Sequence, residues 1–348
     1  MENFIITLLI GSLVGVIFYK LKVPGGMMVG AVVGVSIFNI LTDIAYMPIE
    51  GRIVAQMIAG AFIGSGLEKS DLKRLKNIFK PIATILIALL ILNLVVGFII
   101  YYISPMDLVT SFMCAIPGGM NDTPIISGEM GADSAKVAVM QFIRMVFGIG
   151  IFPSMISKLS KLEQFKADEL ENESYERKTI IDNNSKNLIL TLLLAITFGT
   201  IGRLSGIPAG TLVFSMAGVI GLKLSTNRAY LPKWIRRLAQ VLSGTYVGSG
   251  IVYNDLLEMK YLVGPAVVLI LGYGITCIFV GTFIHKKFSI PIKDSMLACT
   301  PAGASDMALI AADIGVKSAD VIVIQVIRMV VVISVFPQII SIIASLIG

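Results

Sequence analysis

The sequence predicts an all-α polytopic membrane protein made of two inverted-topology repeats, each with about five crossings plus one re-entrant or broken helix. Three observations carry this: an apolar composition, an internal repeat in fixed register, and loop charges that change sides between the copies.

Of the 348 residues, 56% are hydrophobic and 14% are charged, with a mean hydropathy of +0.88. A soluble globule carries roughly a quarter charged residues, so this chain lacks the polar surface to cover itself. Residues 81–106 and 261–284 contain no charge, and each exceeds the ~20 residues a bilayer span needs. Shorter uncharged blocks suggest packed or broken helices. The first block starts with Glu2 instead of a basic region, and no small-residue cleavage pattern precedes Lys20. It is expected to be the first span of the mature protein, not a leader.

Cys114, Cys277 and Cys299 lie in apolar segments without paired or metal-like spacing. His285, beside Lys286 and Lys287, reads as an interfacial residue at a helix end. The net charge of +6 comes from bases in short loops between spans. The positive-inside bias explains them without a nucleic-acid partner.

The repeat has an offset of 184 residues and no gap. Gln56 matches Gln240, and Gly64-Ser65-Gly66 recurs as Gly248-Ser249-Gly250. Pro117, Gly119 and Asp122 match Pro301, Gly303 and Asp306. Gln141 and Arg144 match Gln325 and Arg328. Hydrophobic similarity alone would not align Gln, Arg, Asp and Pro in one register. The units are residues 1–160 and 187–348, joined by a polar linker at 161–186 that the charge pattern places in the cytoplasm.

Residues 68–80 hold five bases, whereas their partners at 252–264 hold only Lys260. Residues 42–52 hold only Arg52, whereas 223–237 hold five bases. Equivalent loops thus change sides, as inverted repeats require. Inversion needs an odd number of crossings per unit. The fifth segments, 108–121 and 295–305, are short and interrupted by Pro-x-Gly, so each is expected to return to the side it entered. Both termini then lie outside, and 21 of the 28 Lys and Arg fall inside.

The interrupted segments carry the candidate chemistry. Proline removes a backbone donor, and glycine permits conformations closed to other residues. Broken backbone at membrane depth survives only inside protein or along a wet cavity. A break also exposes a half-helix N-terminus, which suits an anion. Paired interruptions in two halves point to a transporter binding site. The candidates are Pro117, Gly118, Gly119, Asn121 and Asp122 in the first copy and Pro301, Gly303, Ser305 and Asp306 in the second. The polar ones can line the site or cap the following helix, or do both. Gln141 and Arg144, with Gln325 and Arg328, each share a helical face behind a break. An arginine there snorkels, pairs with Asp122 or Asp306, or meets a ligand. Glu129 and Asp313 read as solvated loop residues. The glycine-rich runs from Gly60 and Gly244 read as close helix packing.

Pro-Gly-Gly-Met-Asn-Asp122, then Gly-Ala-Asp133 and Gln141-x-x-Arg-Met-Val, resembles the AbrB family of bacterial membrane proteins. In the second copy, Pro301-Ala-Gly-Ala-Ser-Asp and Gln325-Val-Ile-Arg resemble it further, and the similarity covers nearly the whole chain. It implies a duplicated multi-pass protein of the bacterial cell membrane. The monooxygenase and regulator labels attached to such proteins do not fit these residues: one His gives no metal cluster, and no basic soluble module is present.

The expected function is a secondary transporter of a small solute, leaning to a small organic anion and coupled to H+ or Na+. The expected partners are that solute and the lipid bilayer, with no nucleic acid, cofactor, metal or enzymatic activity, and a homo-oligomer is left open. The alternatives are a channel, or a signalling or scaffold protein without flux.

Overall fold

The computed structural model describes residues 2–23, 25–150, 152, 155–156, 185–300 and 319–347, and these are overwhelmingly helical. The first copy contains α1 (Glu2–Lys20), α2 (Gly26–Thr42), α3 (Ile49–Ser65), α4 (Lys69–Ile103), α5 (Leu108–Cys114), α6 (Thr123–Glu129) and α7 (Ser134–Gly150). The second contains α8 (Ser185–Leu204), α9 (Gly210–Thr226), α10 (Lys233–Ser249) and α11 (Tyr253–Glu258). A 3-10 turn then leads into α12 (Val263–Phe288), followed by α13 (Ile292–Cys299) and α14 (Ala319–Ile347). Segments Glu2–Lys20, Ile78–Ile103, Ser185–Leu204, Tyr253–Phe288 and Val323–Ile347 are long and apolar enough to cross a membrane. The protein is an all-α polytopic membrane protein.

The 184-residue register survives in three dimensions. Helices α2 and α9 start and stop at equivalent residues, as do α3 and α10. Tyr46 N donates to Thr7 Oγ1 at 3.1 Å, and Tyr230 N to Thr191 Oγ1 at 3.0 Å. Glu68 N donates to Asp71 Oδ2, and Val252 N to Asp255 Oδ2, both at 2.9 Å.

Two groups of helices form. In one, α3 packs on α9 and α10 on α2, with α1 and α8 outside them. The close approach is made by glycine: a Cβ on Gly60 would sit 2.5 Å from Leu212 O, and one on Gly244 would sit 2.5 Å from Met28 O. Small residues of this kind let helix backbones touch where no hydrophobic force drives association. The other group joins α4 to α12, with α5, α6, α7, α13 and α14 around them.

The stretch read as a basic loop at residues 68–80 is instead the start of α4. Glu68 and Asp71 form a reciprocal capping box, so helix begins well before the apolar window at Ile78. At 1.5 Å per residue, the 35 residues of α4 reach ~50 Å, beyond the ~30 Å hydrocarbon core. Its charged first turns extend past the apolar part. Residues 223–237 are likewise mostly the end of α9 and the start of α10.

Helix directions follow from a few contacts. Asn39 Nδ2 donates to Ser249 O at 3.2 Å and Ile251 O at 3.0 Å, setting the end of α2 beside the end of α10. Lys69 Nζ reaches Ser225 O at 3.4 Å, setting the turn after α3 beside the end of α9. Ala45, Tyr46 and Met47 before α3 line one cavity with Tyr246 to Gly250 at the end of α10. Helix α3 therefore leaves the face at which α10 arrives.

Candidate functional site

The first broken segment enters and leaves on one face. Asp107 caps α5, accepting from Thr110 N at 2.8 Å. Thr110 Oγ1 in turn accepts from Asp133 N at 2.9 Å, across the whole excursion. Between them the helix stops at Ala115. Gly119 takes φ +65°, a left-handed turn where a side chain would be strained. Its carbonyl accepts from Asp122 N at 2.9 Å and Thr123 N at 2.6 Å. Pro124 sits in the first turn of α6, where its missing N–H costs nothing. The outcome is a hairpin of two half-helices.

Each half-helix end is held by the glutamine and arginine of the following long helix. Gln141 Nε2 donates to Met113 O and Ile116 O, both at 3.2 Å, and Arg144 donates to Ile116 O at 2.7 Å. In the second copy Gln325 Nε2 donates to Leu297 O at 2.8 Å. Arg328 donates to Ala298 O at 3.2 Å and Thr300 O at 2.7 Å. Orphan carbonyls at a helix C-terminus carry partial negative charge, and a cation there satisfies both hydrogen bonding and dipole. All four side chains are buried. Tyr273 Oη donates to Ala115 O at 3.0 Å, and the same side chain stands against Arg144. Buried carbonyls thus partner the arginines.

Asn121 and Asp122 face elsewhere. Asp122 occupies the N-cap position of α6 but makes no side-chain cap hydrogen bond, so capping is not its role. With Arg236, Gln240 and Ser243 of α10 and Phe62 of α3, the pair lines a cavity of about 40 Å³ between the two helix groups. That space holds only a few waters. Arg236 is within electrostatic reach of the Asp122 carboxylate and packs 4.2 Å over the Phe62 ring. Asn121 Oδ1 is buried without a partner. Of the other sequence candidates, Pro117, Gly118 and Gly119 form the turn. Pro301, Gly303, Ser305 and Asp306 lie outside the described residues, as do Asp313 and linker residues 161–184.

A second cavity, of about 540 Å³, lies between the same two groups on the face where α10 ends. Its wall includes Tyr46, Asp133, Ser134, Tyr246 and Asp255. Glu129, read from sequence as a solvated loop residue, is half-buried at the end of α6, where it accepts from Gln56 Nε2 at 3.1 Å. The sequence reading passed over Arg236 and Ser243. The repeat offered a signal, since Arg52 and Arg236 are equivalent and each stands one turn before a matched glutamine. Among the described residues no cluster of three or more His, Cys, Asp or Glu is arranged to hold a metal.

Residues 27–344 match the family model described as AbrB, transition state regulatory protein. The chain is 25% identical over 313 residues to "Putative regulator AbrB" of Escherichia coli (strain K12), covering 90% of this chain and 88% of that protein. It is also 25% identical over 293 residues to "Uncharacterized protein YhjN" of Bacillus subtilis (strain 168), covering 82% and 76%.

Proposed function

The chain belongs to the AbrB family, and on that footing we propose that it is a secondary transporter of a small organic anion that works by alternating access. The observation that carries this reading is the pair of cavities on opposite sides of one broken helix. Both lie between the same two helix groups, and one, at about 540 Å³, is far larger than the other, at about 40 Å³. A relative movement of the groups would exchange their sizes, as rocking of one bundle against another does in carriers.

Inverted repeats are part of the proposal. The opposite directions of α3 and α10, which are equivalent in the repeat, support it, as does the re-entrant hairpin that leaves five crossings in the first copy. Since the basic starts of α4 and α10 lie on the face opposite the large cavity, that cavity opens outside the cell in this reading and the linker is cytoplasmic.

In this reading Asn121 and Asp122 form the central site with Arg236, and Ser305 and Asp306 contribute from the second copy. Gln141, Arg144, Gln325 and Arg328 keep the half-helix ends in place. Arg236 receives the anionic group, and Asp122 carries the coupling H+ or Na+.

The test is uptake of a panel of radiolabelled small carboxylates into proteoliposomes under an imposed proton or sodium gradient. Saturable, gradient-dependent uptake that Asp122→Asn uncouples, with insertion unchanged, is expected. Uptake without saturation would make the protein a channel, and no flux of any solute would overturn the transport reading. Cysteines at Ser65 and Ser249 should label from opposite sides of the membrane. Labelling from one side would overturn the inversion.

A further inference from the structure

We propose that Arg52 is a second anion station, a carboxylate-binding site reached from the large cavity past Tyr246. The proposal deepens the carrier reading and rests on it. Arg52 lies on α3, only 9% exposed. It forms no ion pair among the described residues, and its Nε is buried without a hydrogen bond. A buried guanidinium without a direct ion pair is costly in a membrane protein and marks a functional position.

Its surroundings fit a visiting carboxylate. One guanidinium nitrogen donates to Tyr246 Oη at 3.4 Å, and the guanidinium lies 5.3 Å from the Tyr246 ring centroid. At that length the hydrogen bond is weak and readily displaced. Tyr246 itself lines the large cavity while Arg52 does not, and the guanidinium meets the wall through this side chain. Ser134, on the same wall, and Arg52 both lie beside Gly128, where an added Cβ would sit 2.6 Å from Ser134 Oγ and 3.8 Å from an Arg52 guanidinium nitrogen. Gln56, one helical turn along, donates its amide to the half-buried Glu129 at 3.1 Å, so that carboxylate is engaged as well.

The carboxylates at the cavity rim are already engaged. Asp133 accepts from Ala135 N and Lys136 N, each at 3.0 Å, and pairs with Lys136 Nζ at 3.1 Å. Asp255 accepts from Val252 N. Neither reaches Arg52.

The repeat supplies the second, independent observation. Arg236 and Gln240, the equivalents of Arg52 and Gln56, line the small cavity on the other side of α6. The small cavity thus has an arginine–glutamine pair in its wall, whereas Arg52 and Gln56 are not wall residues of the large one and Arg52 meets it through Tyr246. The planar guanidinium fork matches a carboxylate with two parallel hydrogen bonds, which a lysine cannot do. A small carboxylate would meet Arg52 first and Arg236 after the helix groups move.

The three native cysteines are buried, so a cysteine placed at Ser134 can be labelled selectively in proteoliposomes. Anionic sulfonatoethyl and cationic trimethylammonioethyl methanethiosulfonates probe local charge. The ratio of anionic to cationic labelling rates is expected to fall about threefold or more with Arg52→Gln, as removal of one nearby charge requires. Millimolar succinate should slow labelling by an uncharged thiosulfonate when Arg52 is present. Arg52→Lys should retain the charge preference and lose the succinate protection. An unchanged ratio in Arg52→Gln would overturn the proposal, and so would absence of succinate protection with Arg52 in place. Neither result bears on whether flux saturates, so the carrier reading stands or falls separately.

Discussion

Lys136 Nζ lies 2.6 Å from Glu258 Oε2, and the equivalent positions in the other copy, Asp320 and Arg74, face each other at 3.3 Å with the signs exchanged. Each pair joins one repeat to the other, so the duplicated halves are tied twice by the same geometry. The copies have diverged in charge while keeping the contact. Lys136 is the more buried partner, with 12% of its side chain exposed, against 35% for Arg74.

A double-mutant cycle of Lys136→Met and Glu258→Gln should give a coupling of about 0.5–1 kcal/mol in unfolding of the purified protein. The same cycle at Arg74 and Asp320 should give less, because the cation there is 35% exposed against 12% for Lys136 and water screens it. Equal couplings would show that burial does not set the difference.

The glycine crossings should be intolerant in both copies. Gly60→Ala and Gly244→Ala each push a methyl against a backbone carbonyl and should cost about 1–3 kcal/mol, with helix–helix spacing forced apart. Gly221→Ala, where nothing lies within 4 Å of the added carbon, should instead stabilise α9 by about 0.5–1 kcal/mol. Thermal unfolding in detergent measures all three. Equal effects at the crossing and control positions would mean that close packing is not what selects glycine.

Arg144→Lys and Arg328→Lys keep the charge but lose the nitrogens that reach the half-helix carbonyls. Each should lower stability by about 1–3 kcal/mol, as loss of buried, charge-assisted hydrogen bonds does. Arg328→Lys should be the more severe, since one nitrogen of Arg328 bridges two carbonyls. Unfolding midpoints equal to that of the unsubstituted protein would remove these arginines from the architecture of the breaks.

Asp43 ends α2 with φ +54° at an exposed position. Asp43→Gly should raise stability by about 0.5–1 kcal/mol by relieving left-handed strain. A fall in unfolding temperature would show that the aspartate side chain contributes more than its backbone conformation costs.

Much of this was legible in the residues themselves. Uncharged runs marked the long spans because apolar length is what a bilayer demands. Pro117 and Gly119 marked the interruption because no helix passes through that pair undisturbed. The partners of the polar residues were not legible. Nothing local distinguishes an arginine that meets a carboxylate from one that meets a carbonyl, so Arg144 was placed with Asp122 as one alternative. The structure gives it Ile116 O instead. Glu129 looked solvated because it follows a half-helix, and only the approach of α3 brings Gln56 to it.

The sequence by itself determined the all-α membrane class, the duplication and its register, the break sites and the uneven charge of equivalent loops. Each is a property of order along the chain, and hydropathy or spacing reads it directly. Only the tertiary structure decided that Asp122 faces Arg236, that Arg52 stands behind Tyr246 without an ion pair, and that the two cavities lie between the same helix groups. These depend on which helices cross and at what height. That is set by glycines such as Gly60 and Gly244, which admit a backbone far away in sequence, and one-dimensional periodicity carries no record of the neighbour they admit.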